Sequence, residues 1–196
     1  MDLFASGPER LPVQDGELIL WRAFALPLPS AELFARLQAE TPWRAESILV
    51  FGRRHLQPRL TAWYGDAGYT YSGLALAPQP WTPLLQAVRA SVEAATGLAF
   101  NSVLLNYYRD QRDSMGMHSD DEPELGPMPQ IASLSLGATR SFVLRHKRSG
   151  QTLRLPLADG DLLLMAGPLQ QHWQHGIHKA TRALGPRLNL TFRLIR

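Results

Sequence analysis

Six histidines, His55, His118, His146, His172, His175 and His178, stand out in a chain of 196 residues that contains no cysteine. Without thiols there is no disulfide framework, no thiolate nucleophile and no Cys-based zinc or iron–sulfur site. A transition metal here has to be held by His, Asp and Glu. Met117-His-Ser-Asp-Asp121 offers such a pair. In extended chain, residues i and i+2 face the same way, so His118 and Asp120 can bind one ion side by side. A third ligand from His172-Trp-Gln-His175-Gly-Ile-His178 would complete a set of two histidines and one carboxylate. That set covers one face of Fe(II) and leaves positions open for O2 and a co-substrate. Spacing alone does not choose among His172, His175 and His178. A polar loop pair and three surface histidines remain the plainer alternative.

Arg187-Leu-Asn-Leu-Thr-Phe-Arg193 is the second chemical element. Read as a strand, it puts Arg187, Asn189, Thr191 and Arg193 on one face and Leu188, Leu190 and Phe192 on the other. Two arginines on an inward face are costly unless they meet anions. A dicarboxylate such as 2-oxoglutarate would satisfy both. The competing reading is a half-exposed strand with its arginines in water.

These side chains need a scaffold, and the pattern predicts one that is mainly β, with helices first. Glu17–Trp21 reads as a short strand. Leu33, Phe34 and Leu37 line a helix with Ser30 as N-cap and Pro42 as its stop. A second helix has Thr82 as cap, Pro83 at its first position, Leu84, Leu85, Val88 and Val92 on one side, and Gly97 at its end. Short apolar runs follow at 100–108, 131–136, 141–146, 152–157, 161–166 and 187–195. Runs of that kind separated by turn residues point to an antiparallel sandwich or barrel. Residues 1–16 read as a flexible lead-in, and 53–63 and 109–130 as the longest structureless stretches.

At 45% hydrophobic residues, the chain can bury a core, and its length suits one domain. Charge is balanced at 20 basic against 17 acidic residues, a formal +3. Lys147 and Lys179 are the only lysines, so the basic side is almost all arginine, whose planar fork suits phosphate and carboxylate. This permits a nucleic-acid partner without requiring one. The N-terminus lacks the pattern of a signal peptide, and no apolar run is long enough for a membrane span. The expectation is a soluble intracellular protein, cytoplasmic if bacterial, and monomeric by default.

Five motifs taken together resemble the AlkB family of Fe(II)/2-oxoglutarate dioxygenases. They are Asn106-Tyr-Tyr108, His118-Ser-Asp120-Asp-Glu122, Ile131-Ala-Ser-Leu-Ser-Leu-Gly137, His175-Gly-Ile and Arg187-Leu-Asn-Leu-Thr-Phe-Arg193. Their order and spacing agree with the family from about Phe51 to the C-terminus. The resemblance implies His118, Asp120 and His175 as Fe(II) ligands and as the catalytic centre. It implies Arg187 at the distal carboxylate of 2-oxoglutarate, Arg193 nearer the iron, and Asn106, Tyr108, Asn189 and Thr191 completing that pocket. It implies an α+β, mainly β fold: a double-stranded β-helix, or jelly roll, with N-terminal helices packed outside. One domain would span 1–196, with an extension at 1–45, a nucleotide-recognition lid at 46–73 and the β-helix core at 98–196.

Within the lid, Phe51-Gly resembles the wedge of homologues that act on duplex DNA, where an inserted side chain offsets the unstacking of a flipped base. Arg53, Arg54 and Arg59 are candidates for phosphates or the orphan base. Tyr71 is the candidate to stack on the target base, Tyr64 to hydrogen-bond it, and Asp121 and Glu122 to meet its edge. A carboxylate there would favour a cationic methylated base. Each has a bland alternative in core packing or a solvated loop. Arg140, Arg145, Lys147 and Arg148 form a basic stretch suited to a second strand, or a solvated hairpin.

The function implied is oxidative demethylation of 1-methyladenine and 3-methylcytosine in DNA, duplex by preference, with Fe(II), 2-oxoglutarate and O2, releasing formaldehyde, succinate and CO2. The same chemistry on RNA, a protein side chain or a small molecule is the alternative. A binding module with a degenerate metal site is a further one.

Overall fold

The computed structural model describes residues 7–50, 53–66, 69–71, 74–76 and 78–196, with backbone alone at 48–50, 53–55, 69–71 and 74–76. Strands β1 (Glu9–Leu11) and β2 (Glu17–Trp21) precede helix α1 (Ser30–Glu40). Two short hairpins follow, β3 (Ser47–Val50) with β4 (Arg53–Leu56), and β6 (Tyr69–Tyr71) with β7 (Leu74–Leu76). Between them runs β5 (Leu60–Gly65), and after them comes α2 (Pro83–Thr96). The rest is β8 (Ser102–Tyr108), β9 (Met115–His118), β10 (Ile131–Gly137), β11 (Arg140–His146), β12 (Thr152–Leu157) and β13 (Leu162–Ala166). A single turn, α3 (Leu169–His172), then leads into β14 (Trp173–Ile177), and β15 (Arg187–Arg193) closes the fold.

Two antiparallel sheets face one another. The larger has the order β1-β2-β13-β10-β15-β8-β5, and the smaller β12-β11-β14-β9. This is the jelly-roll core with helices outside that the resemblance implies. Alternation along the strands divides the hydrophobic side chains between two layers. Val103, Leu105, Leu134, Leu188, Leu190 and Phe192 point outward beneath Leu33, Leu37, Leu85, Val88 and Val92 of the helices. Leu20, Ile131, Phe142, Leu144, Leu163, Trp173 and Ile177 pack between the sheets. Each such aliphatic side chain removed from water is worth about 1.5–3 kcal/mol. Pro156 sits in β12 at the sheet edge, where its missing N–H breaks no ladder.

Helix α2 starts and stops as its residues dictate. Thr82 Oγ1 accepts the Leu85 N–H at 3.2 Å, and Gly97 closes the helix at φ 70°. Helix α1 differs from expectation. Pro29 occupies the cap position, and the Ser30 hydroxyl instead donates to Asp159 at 2.6 Å.

The stretches expected to lack structure contain β4, β5 and β9. Strand β5 has buried residues on both faces and so shows no alternation, and β9, Met-Gly-Met-His, has no β-branched residue. Both are held by partners distant in sequence, β8 and β14. The stretch read as a flexible lead-in contains β1, which pairs with β2, and β2 pairs with β13 over five residues. Residues 9–21 therefore belong to the larger sheet. No helix among the described residues is long and apolar enough to cross a membrane.

Candidate active site

The inner face of the larger sheet is polar where three strands, β10, β15 and β8, run side by side. β15 contributes Arg187, Asn189, Thr191 and Arg193, all buried, as its two-residue period requires. β10 adds Ser133 and Ser135, and β8 adds Asn106 and Tyr108. The register sets Ser133 beside Thr191, Ser135 beside Asn189 and Asn106 beside Asn189. Hydrogen bonds lock the face: Asn189 Nδ2 donates to Ser133 Oγ at 2.7 Å and to the Leu134 carbonyl at 3.1 Å. Thr191 Oγ1 donates to Asn189 Oδ1 at 3.0 Å.

Across from it, the smaller sheet presents the histidines. β9 and β14 are paired so that His118 lies directly opposite His175. Gly176 makes the approach possible, since a Cβ there would lie 2.8 Å from the Met115 carbonyl oxygen. Asp120 follows just beyond the end of β9. Its carboxylate stands 3.7 Å from His118 Nε2 and 3.6 Å from His175 Nε2. Asp120, His175, Tyr108, Met115, Arg187 and Arg193 are among the residues that line one cavity between the two sheets.

Electrostatics at this cavity favour a cation held by deprotonated ligands. Burial would raise the Asp120 carboxyl, but the Arg193 guanidinium, with His118 and His175, outweighs it and holds the pKa at about 2. Arg193 Nη2 donates to Asp120 Oδ1 at 2.9 Å. Burial, reinforced by His118, pushes His175 down to about 3, so its ring is neutral. His118 Nδ1 donates to the Gly116 carbonyl at 2.9 Å, which leaves the Nε2 lone pair facing Asp120. The buried Asp120 Oδ2 has no donor among the described residues. Two imidazoles bound at right angles to one ion, with bonds of about 2.1 Å, have ring centres about 4.5 Å apart. The His118 and His175 centres are 4.4 Å apart. These residues fit a metal ion with two imidazoles and one carboxylate on one side.

The same reasoning separates a second group, Asp15, His146 and His172, which also lies close together. There the Ser149 backbone N–H donates to His146 Nδ1 at 3.1 Å. The neutral ring must then carry its proton on Nε2, which donates to Asp15 at 3.2 Å. With no lone pair left at Nε2, this is a hydrogen-bonded pair rather than a ligand set. His172 lies in this group, not beside His118.

Arg187 is the strongest sign that this face accepts an anion. It is 2% exposed, and one Nη donates to Ser135 Oγ at 2.9 Å. Its Nε and other Nη are buried without a well-aligned acceptor among the described residues, and the Tyr108 hydroxyl is the polar neighbour that partly serves them. Burial lowers its pKa, partly countered by Tyr108, whose ring centre lies 5.3 Å from the guanidinium carbon. Retaining an uncompensated buried charge costs several kcal/mol, so the site is built for a carboxylate to enter.

Several residues read as substrate contacts take other positions. Arg59 is buried, and its Nε donates to Asn106 Oδ1 at 2.7 Å, so the guanidinium faces the polar sheet and not a phosphate. Tyr64 faces the helices, because in β5 the site-facing side carries Thr61 and Trp63, and burial raises its phenol pKa. Arg140 is buried and donates to the carbonyls of Asp110, Asp113 and His178, so its guanidinium is turned onto loop backbone and not toward a second strand. Asp121 is exposed beside Lys147 Nζ at 3.6 Å, and Glu122 is half-buried; neither lines the cavity. Arg145 and Arg148 are exposed. Phe51 lies outside the described residues, and Arg53, Arg54 and Tyr71 are described by backbone only, in β4 and β6. Sequence reasoning passed over Ser133 and Ser135, although the alternation in Ile-Ala-Ser-Leu-Ser-Leu marks them.

Residues 18–193 match the family model described as the 2OG-Fe(II) oxygenase superfamily. The chain is 46% identical over 177 residues to the human DNA oxidative demethylase ALKBH2, covering 84% of this chain and 68% of that protein. It is 43% identical over 173 residues to the mouse alpha-ketoglutarate-dependent dioxygenase alkB homolog 3, covering 83% of this chain and 60% of that one. In fold it resembles the solved structure of OsALKBH1, with a TM-score of 0.63 over 95% of this chain and 100% of that one, at 17% identity. An iron-ready triad beside a carboxylate slot in a jelly roll is thus matched by membership of the 2OG-Fe(II) oxygenase superfamily, and within it the chain belongs to the AlkB family. It is an Fe(II)- and 2-oxoglutarate-dependent dioxygenase.

Proposed function

We propose that this enzyme removes N-methyl groups oxidatively from bases in DNA, with 1-methyladenine and 3-methylcytosine as substrates and the duplex as preferred context. The observation that carries the chemistry is the buried Arg187, short of acceptors, on the same inner face as Arg193, which contacts Asp120. The DNA substrate is supported by the relatives at 46% identity that are named DNA oxidative demethylases. The duplex preference rests on the Phe51-Gly pair and the arginines near it in sequence.

Fe(II), when bound with 2-oxoglutarate and O2, supplies the oxidising power to hydroxylate an N-methyl carbon, and the resulting hemiaminal releases formaldehyde. The protein's part is positional. His118, Asp120 and His175 hold the ion from one side. Arg187, with Ser135 and Tyr108 beside it, takes the distal carboxylate, and Arg193 neutralises charge next to Asp120. Asn106, Asn189 and Thr191 keep the slot polar, with amides fixed by Arg59 and Ser133. Phe142 and Ile177 close the smaller-sheet side against water.

With methylated DNA, formaldehyde from the methyl group and succinate from 2-oxoglutarate should form in equal amounts, and with the unmethylated oligonucleotide neither should rise above background. Succinate formation that ignores the methyl group would assign the oxygenase another substrate.

A further inference from the structure

Asp120 stands two residues past His118, the last residue of β9, so no sheet ladder holds its backbone. Its N–H donates instead to Gln170 Oε1, at 3.0 Å. Gln170 is 1% exposed and belongs to α3, the turn that leads directly into β14 and His175. Its amide cannot swing freely: Nε2 faces Met165 Sδ at 3.7 Å, which leaves the oxygen for Asp120. The Gln170 backbone carbonyl accepts from Lys147 Nζ at 2.9 Å. Next to Asp120, Ser119 Oγ donates to the Trp173 carbonyl at 2.8 Å. One segment, α3 with β14, thus carries His175 and also grips residues 119 and 120.

We propose that Gln170 is a positioning residue for the metal centre, fixing the Asp120 backbone so that the carboxylate meets the ion together with His118 and His175. The proposal rests on the ligand assignment given above. Two ligands that are far apart in sequence are set by one element, so their separation does not depend on the 121–130 loop. Partners that orient metal ligands from behind typically hold 10–100-fold in metal affinity. Gln170→Met keeps the length and packing of the side chain but removes the acceptor, leaving the Asp120 N–H buried and unsatisfied.

Co(II) is the probe, added to the full chain and followed by its visible ligand-field absorption. Gln170→Met should bind Co(II) about 10–100-fold more weakly and with an altered spectrum. Gln170→Glu, which retains an acceptor oxygen at the same reach, should keep the wild-type spectrum. Wild-type affinity and spectrum in Gln170→Met would overturn the proposal. So would equal weakening in the Met and Glu variants, since that pattern belongs to packing and not to the hydrogen bond. Asp120→Ala is run in parallel: if it binds Co(II) like the wild type, the ligand assignment itself has failed, a result distinct from a silent Gln170→Met.

Discussion

His118 and His175 are cross-strand partners, 57 positions apart in sequence by number yet paired in register between β9 and β14 with ring centres 4.4 Å apart. The pairing depends on Gly176, where a side chain would press on the carbonyls of Met115 and Gly116 at 2.8 and 2.9 Å. Backbone atoms cannot give way as a flexible side chain can. Gly176→Ala should therefore force β9 away from β14, cost about 1–3 kcal/mol of stability, and weaken Fe(II) binding. Thermal melts and anaerobic Fe(II) titration check this; unchanged metal affinity would mean that the close approach does not set the ligand spacing.

Arg187 separates binding from stability. Arg187→Met removes a buried cation that is short of acceptors and leaves an uncharged thioether chain. Replacing buried charge by apolar volume is often neutral or stabilising. The variant should need about 100-fold or more additional 2-oxoglutarate for half-maximal turnover, while the protein without co-substrate melts no lower than wild type. Loss of stability with an unchanged 2-oxoglutarate requirement would make the arginine a structural residue.

The pH dependence of the metal-free protein has a definite sign. Burial and the neighbouring His118 depress His175 to about 3, whereas in the unfolded chain it titrates near its ordinary value of about 6.5. The unfolded state therefore binds more protons in that window, and stability falls as pH drops through it. Asp120, depressed to about 2 mainly because Arg193 outweighs its burial, adds a loss only below its own unfolded value. Melting temperature should fall between about pH 7 and pH 5 in the wild type, and the slope should flatten in His175→Gln. An equally steep slope in that variant would assign the effect to another group.

Much of the centre was legible because it lies in short, regular patterns. His118-x-Asp120 and the alternating Arg187–Arg193 strand both state their geometry in sequence, and the structure puts both on inner faces. The choice of His175 over His172 was not legible from spacing: it depends on β14 pairing with β9, and on a hydrogen bond from Ser149 that occupies His146 beside His172. Arg59 and Arg140 look in sequence like surface cations, and only the fold turns them onto Asn106 and onto loop carbonyls. Gln170 carries no sequence signal, because its role comes from a backbone N–H fifty positions away in number.

The wedge reading of Phe51 makes its own prediction. Phe51→Ala should reduce demethylation of duplex substrates more than of single strands, since only the duplex needs the gap left by a flipped base to be filled. Equal losses on both would discard the wedge and leave the chemistry intact.

The most direct test gives the enzyme matched duplex and single-stranded oligonucleotides, each bearing one 1-methyladenine, with Fe(II), 2-oxoglutarate and air, and weighs the DNA afterwards. Loss of one methylene mass from the duplex, abolished in Asp120→Ala, is the expected result. No mass loss from either oligonucleotide, while succinate still forms from 2-oxoglutarate, would contradict the assignment of methylated DNA as the substrate.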